Sequence, residues 1–254
     1  MTLSLSVSKQ LENITVQLET SCPSNTLTAI VGPSGSGKTT LIRMLAGLET
    51  PDSGTITCND AVWFSSTNGV TVPPQSRRVG LVFQDYTLFP HLTVEKNILF
   101  AAVTPKTVPD LLQTFGIEHI KHKKPHSISG GERQRAAFCQ ALAREPVALL
   151  LDEPFSALDV TTRRKLQHLL LEIKTRLPIP IIHVTHDLEE ATMLGDTIIA
   201  MEQGKVSPNW LNTQLLAAHH AAQAPLPYEQ CHTCSVNTLN LNTISNEKQN
   251  ASTR

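Results

Sequence analysis

Excess charge of either sign is missing from this sequence. Its 21 lysines and arginines face 22 aspartates and glutamates, a formal net charge of −1, and charged residues make up only 17% of the chain. That balance argues against the basic stripe of a nucleic-acid binder. Long apolar runs are also lacking. The strongest run near a candidate core is Val147–Leu151, far short of the ~20 residues that cross a bilayer as a helix. The opening MTLSLSVSKQLENITVQLE mixes charged with apolar residues and has no apolar stretch of signal-peptide type. The five cysteines are mostly scattered and do not form an extracellular disulfide framework. Aromatic residues amount to 4%, and none precedes Trp63. These absences predict a cytoplasmic protein that reaches a membrane only through a partner. At 254 residues it has room for one large α/β domain, with or without a small attachment.

Apolar spacing supplies the organisation. Leu3, Leu5 and Val7, then Ile14, Val16 and Leu18, alternate with polar residues and predict half-buried strands. LTAIVG (Leu27–Gly32) predicts a buried strand entering a glycine-rich turn. In Lys38–Ala46, Leu41, Ile42 and Leu45 share a helical face, and Gly47 is placed to end the helix. GTITCNDAVWF returns to strand spacing. A helical insert with proline breaks is expected over about 85–143. VALLLD (Val147–Asp152), PIIHVTHD (Pro180–Asp187) and DTIIAM (Asp196–Met201) read as buried parallel strands separated by helices, and Gly204 as a hairpin turn. Beyond Val206, Ser207-Pro208 starts one short helix. A polar Asn-, Thr- and Ser-rich tail follows. No internal repeat is present.

GPSGSGKTT, spanning Gly32, Pro33, Ser34, Gly35, Ser36, Gly37, Lys38, Thr39 and Thr40, fits the phosphate-loop pattern between a strand and an amphipathic helix. Its glycines let the backbone N–H groups close around phosphates. Lys38 reaches the β- and γ-phosphates, and the Thr39 hydroxyl ligates Mg²⁺. The apolar strand ending in Asp152 sets a carboxylate beside that loop, where it holds Mg²⁺ through water. Glu153 is placed to act as general base on an attacking water. A second glycine-bearing turn, HSISGGERQRAA from His126, opens another helix but has no lysine of phosphate-loop type. Its Ser129 and Glu132 have capping-box spacing.

These segments, with VFQDYTLFPHLTVEKNI from Val82, SISGGERQR from Ser127, LLLDEPFSALD from Leu149 and VTHD from Val184, resemble the ATP-binding subunits of ABC transporters over residues 1–206. The resemblance implies an α/β, RecA-like P-loop NTPase core with an N-terminal antiparallel β subdomain and an α-helical insert subdomain. It implies ATP and Mg²⁺ as cofactors. It also implies a head-to-tail homodimer in which Ser129, Gly130 and Gly131 of one copy cap the γ-phosphate held by the other copy's phosphate loop. By the same carry-over Gln84 touches Mg²⁺ and the attacking water and senses the membrane partner, Asp159 bridges the copies, and His186 bonds the γ-phosphate. Ile128 and Glu132 replace the Leu and Gln of the usual LSGGQ. Glutamate keeps the capping geometry, so function is expected to be retained.

Such subunits usually stack adenine on an aromatic residue in the first strands. None exists here, so Leu11 is the candidate cover, with weaker and less base-selective binding expected. Gln140 stands where many relatives carry Arg. KHKKPH (Lys121–His126) reads as a solvated connector. CHTC (Cys231–Cys234), near His219, His220 and His232, has ligand spacing but lacks the second pair that zinc sites normally need.

The text of the motifs is most similar to bacterial importers fed by periplasmic binding proteins, and within them to molybdate/tungstate importers. Sulfate, ferric iron, polyamine and thiamine importers share much of it. The segment 207–254 is too short and polar for the oxyanion-sensing barrel that many molybdate relatives carry. Repair and chromosome-organising relatives need a coiled-coil insertion or zinc hook, ribosomal ones usually two cassettes, exporters their own membrane helices. An inactive relative would have lost Lys38, Glu153 or His186. The expectation is a peripheral ATPase on the cytoplasmic face of the inner membrane, working with separate permease subunits and no nucleic acid.

Overall fold

Alternating burial builds the first sheet. The computed structural model describes residues 1–84 and 88–223. Strands β1 (Thr2–Gln10) and β2 (Thr15–Pro23) pair antiparallel and bury Leu3, Leu5, Val7, Val16 and Leu18, whereas Ile14 sits just ahead of β2 and is half-buried. With β4 (Ser53–Cys58), β5 (Ala61–Ser65) and β6 (Val70–Thr71) they form a five-stranded sheet of order β2-β1-β4-β5-β6.

The second sheet has order β11-β10-β3-β9-β8-β7. Its strands are β3 (Leu27–Val31), β7 (Val79–Val82), β8 (Ala148–Asp152), β9 (Ile181–Thr185), β10 (Thr197–Glu202) and β11 (Lys205–Val206). All neighbours run parallel except β10 and β11, the hairpin that Gly204 turns. β3, β8 and β9 are buried along their whole length, as strands covered on both faces must be. Ile30, Leu150, Ile182 and Val184 face a core shared with α1 (Lys38–Ala46) and the antiparallel sheet. Ala29, Val31, Leu149, Leu151 and Ile181 face the opposite core. That second core is filled by α2 (Val94–Ala101), α3 (Val108–Thr114), α4 (Gly130–Ala143), α5 (Val160–Arg176) and α6 (Leu188–Leu194). Three of the seven phenylalanines stack in series through it, Phe115 on Phe138 at 6.2 Å and Phe138 on Phe155 at 6.1 Å.

Helix ends follow local chemistry. Gly47 ends α1 in the left-handed region at φ 79, its N–H returning to Arg43 and Met44 carbonyls. Ser129 and Glu132 close a reciprocal capping box at the head of α4. The lysine-rich connector is more than solvated. Its Lys123 and Lys121 carbonyls accept the orphan N–H groups of Val94 and Glu95 at the start of α2. Helix α7 (Pro208–Gln223) begins after β11, with Trp210 and Leu211 against the core. One compact unit spans Met1–Leu216. The CHTC segment lies outside the described residues.

Candidate functional site

Open parallel sheets bind ligands beyond the carboxyl ends of their strands. Here four such ends converge. β3 leads into the phosphate loop, β7 is followed by Gln84, β8 by Glu153 and β9 by His186. A cleft of about 540 Å³ is lined by Ser34, Gly35, Gly37, Lys38, Thr39, Thr40, Gln84, Glu153, His186 and Leu11. Gly32, Pro33 and Ser36 complete the loop from behind. Their Gly32 and Pro33 carbonyls each accept Lys38 Nζ at 2.8 Å, and Ser36 Oγ accepts it at 3.3 Å.

The head of α1 has no side-chain cap, and Lys38, Thr39 and Thr40 N–H groups find no acceptor among the described residues. Unsatisfied N–H groups plus a helix dipole and a cation favour an anion at this spot. Lys38 is only 5% exposed. Burial pushes its ammonium down, opposed by the charges of Glu153 and then Asp152.

Thr39 Oγ1 donates to Asp152 Oδ1 at 3.1 Å. Burial, with Glu153 adding to it, holds the Asp152 carboxyl above the usual carboxylate range, against the pull of the Thr39 bond. A hydroxyl, a buried carboxylate and the Gln84 amide are hard oxygen donors of the kind Mg²⁺ takes, so the residues fit that ion. The same burial fixes a sign. Asp152 binds protons more readily folded than unfolded, so its effect on the nucleotide-free fold worsens as pH rises from the unfolded to the folded pKa, and its full cost stands above that. We therefore expect Asp152→Asn to raise the midpoint of thermal unfolding at pH 8, without Mg²⁺ or nucleotide, by about 1–3 °C. The gain should vanish below about pH 4. Melting curves across pH 4–8 check this, and a variant less stable than the parent at pH 8 contradicts it.

Glu153 occupies the left-handed region at φ 46, held there by its N–H to Val184 O at 2.9 Å. Such backbone is strained for a non-glycine residue and aims the side chain away from the strand line. Its Oε2 accepts from His186 Nδ1 at 3.0 Å. That bond leaves His186 Nε2 for another partner.

Ser129, Gly130, Gly131 and Asp159 do not line this cleft. Ser129 heads α4, its Oγ accepting Glu132 N at 3.3 Å and donating to Glu132 Oε2 at 2.8 Å. The Ser129 N–H, first, and then its hydroxyl and His119 hold Glu132 below the ordinary glutamate range. Asp159 heads α5, accepting Thr161 and Thr162 N–H groups at 3.1 and 3.0 Å.

A family model described as ABC transporter matches residues 15–156, just over half of the 254. The chain belongs to the ABC transporter family. This cassette is similar to the molybdenum import ATP-binding protein ModC of Aliivibrio fischeri, 38% identical over 81% of the chain and 57% of the relative. It is likewise similar to the sulfate/thiosulfate import ATP-binding protein CysA of Nephroselmis olivacea, 44% identical over 71% of the chain and 53% of the relative. The chain thus spans a little over half the length of these relatives. Among solved structures it is similar to the ATP-binding cassette MJ0796, in a dimeric post-hydrolysis state bound to ADP and Pi. The TM-score is 0.68 at 27% identity, covering 82% of this chain and 97% of that one. The α/β fold expected from the motifs is therefore shown, with its antiparallel subdomain and helical insert. Among the described residues no helix is long and apolar enough to cross a membrane.

Two contributions to the cassette's site escaped the motifs. Gly204 N donates to Ser36 O at 3.1 Å, so the β10–β11 hairpin braces the phosphate loop. A Cβ at Gly32 would meet Met201 O at 2.0 Å, which makes glycine obligatory there for packing as well as for the turn. The turn signal at Gly204 was legible, but not what it touches. Leu11, between β1 and β2 and half-buried, is the apolar wall of the cleft. Replacing it with Tyr should tighten ATP binding about fivefold, corresponding to the ~1 kcal/mol of an aromatic contact. Isothermal titration of both proteins tests this, and equal affinities would remove Leu11 from the adenine site.

Proposed function

We propose that this chain is the ATP-hydrolysing subunit of a bacterial binding-protein-dependent importer for molybdate or tungstate. The observation that carries the reading is a division of parts. One cleft collects the phosphate loop, Gln84, Glu153 and His186, with Asp152 behind Thr39, while the Ser129–Gly131 turn and Asp159 stand outside it. A site with the second turn elsewhere is completed by a second copy, head to tail, each turn capping the γ-phosphate in the other cleft.

In that sandwich Lys38 and the free N–H groups of α1 hold the β- and γ-phosphates. Thr39, Gln84 and Asp152 would hold Mg²⁺, which when bound would neutralise charge on the phosphate oxygens. Glu153 takes the proton of the attacking water. His186, anchored through Nδ1, presents Nε2 to the γ-phosphate. ATP binds the closed pair better than the open one, so binding closes it and hydrolysis releases it.

A permease helix on the cytoplasmic face has a place to receive that motion. A groove of about 570 Å³ runs past β7, lined by Arg78, Phe89, Phe100, Gln140 and Arg144 among others. Phe100 is 71% exposed and meets Phe89 edge-on at 4.8 Å. Asn97, fully buried, grips the loop carrying Phe89 through that residue's N–H (2.7 Å) and carbonyl (3.2 Å).

The solute is supported by the molybdenum-import relatives, and sulfate is the second reading because a sulfate/thiosulfate relative matches as well. Both are tetrahedral oxyanions bound by other subunits. The test is the MgATP turnover of the purified chain against its own concentration, followed by molybdate and sulfate uptake in cells lacking their own importer ATPase. Turnover per chain that is independent of concentration down to dilute solution rejects the two-copy site. Rescue of neither uptake rejects the solute class.

A further inference from the structure

Two buried ionisable side chains lie beneath the site without belonging to it. His183 in β9 is 0% exposed and Glu190 in α6 is 5% exposed. His183 Nε2 and Glu190 Oε1 are 2.5 Å apart, and Gln167 of α5 approaches the other carboxylate oxygen at 3.5 Å. The remaining ring nitrogen, Nδ1, has no partner among the described residues. A buried pair of this kind gives a fold little that two apolar side chains of the same size would not give, and often less. Its placement offers a different reason for it.

The bond closes the segment 183–190 end to end, and His186 stands in the middle. Two further bonds staple the same segment, Asp187 N to Thr185 Oγ1 at 3.0 Å and Glu190 N to Asp187 Oδ1 at 3.1 Å. Arg163 of α5 holds the other Asp187 oxygen at 3.3 Å. The His186 side chain itself is 57% exposed, so little packing orients it, and the backbone of this segment must. On its other side the His183 ring lies 5.7 Å from the Phe155 ring, two residues past Glu153. Glu153 in turn hangs from the Val184 carbonyl. One buried imidazole therefore touches the supports of both members of the Glu153–His186 pair.

We propose that His183, fixed by Glu190, is a positioning residue that sets the distance and angle between Glu153 and His186. The proposal rests on the ATPase reading given above. A displacement of about 1 Å between catalytic groups costs on the order of a hundredfold in rate, and a bond at the root of the segment is where such a displacement would start.

The test is the double substitution His183→Phe with Glu190→Leu, which keeps an aromatic ring on Phe155 and leaves no buried charge unpaired. Expected are a 10- to 50-fold lower kcat, a KM for ATP within twofold, and a melting temperature within about 3 °C of the parent. The His186 Nδ1 nitrogen resonance should also move. Glu190→Gln, whose amide oxygen still accepts from Nε2, should keep kcat within threefold. Should the double variant not fold, His183→Asn combined with Glu190→Gln, with the asparagine too short to reach position 190 and no buried carboxylate left unpaired, is judged by the same criteria. An unchanged kcat overturns the proposal. So does a loss shared equally by kcat, ATP affinity and stability, or a Glu190→Gln protein as impaired as the double variant. Absence of MgATP turnover in the unaltered chain would instead overturn the ATPase reading, and the proposal with it.

Discussion

Glu153→Gln is expected to slow ATP hydrolysis about 100- to 1,000-fold while leaving MgATP affinity within a few fold. The carboxylate belongs to a residue lining the cleft and has one oxygen on His186 Nδ1 at 3.0 Å. Glutamine keeps the length of the side chain and an oxygen for that bond but cannot take a proton from water. Lys38 and the head of α1, the groups proposed to hold the phosphates, are untouched. Binding without hydrolysis should trap the closed pair, so the variant should elute as a dimer in gel filtration with MgATP and as a monomer without it. A variant that stays monomeric with MgATP yet hydrolyses at the parent rate would remove Glu153 from the role of base.

The largest effect on stability should come from a residue outside the nucleotide cleft. Arg77 is 2% exposed, and its guanidinium donates to Met44 O (2.7 Å), Leu45 O (2.9 Å) and Val72 O (2.9 Å) while lying 5.8 Å from the centre of the Trp63 ring. Two of those carbonyls belong to the last turn of α1, whose dipole end is negative, so a cation with no carboxylate partner among the described residues is compensated there. Burial lowers its pKa to about 10, which still leaves it charged at neutral pH. Arg77→Ala leaves the carbonyls unsatisfied and opens a cavity, a loss of about 3–5 kcal/mol. The unfolding midpoint should fall by about 8–15 °C. Lysine cannot span three acceptors with one ammonium and should recover only part. Circular dichroism melts of the nucleotide-free proteins measure both. A fall of under about 3 °C for Arg77→Ala would show that α1 is capped by other means. Because α1 carries Lys38 and Thr39 at its other end, ATP binding should weaken in the same variant.

Local spacing made much of this protein legible. Leu41, Ile42 and Leu45 on one face, with Gly37 and Gly47 at the ends, predict α1 with the bounds it has. The mostly apolar segments at Leu27, Ala148 and Ile181 predict strands covered on both sides. Ser129 and Glu132 announce their cap three residues apart. Each of these depends on residues within a turn or two, where side-chain periodicity and capping operate. The short edge strand β7 was not foreseen, because Val79–Val82 is too brief for its alternation to stand out.

Only the tertiary structure decided which distant segments meet. Strand order places β9 and β10 on either side of β3, with β8 and β7 beyond, and so brings Gln84, Glu153 and His186 to the phosphate loop. It also set Arg77 on the end of α1, the β10–β11 hairpin behind Ser36, and His183 against Glu190 and Phe155. The motifs identified which chemistry was available, since phosphate, metal and proton transfer each demand particular side chains at short spacings. Adjacency across strands follows instead from which apolar faces pack together, and many pairings of equally apolar strands satisfy the same local pattern.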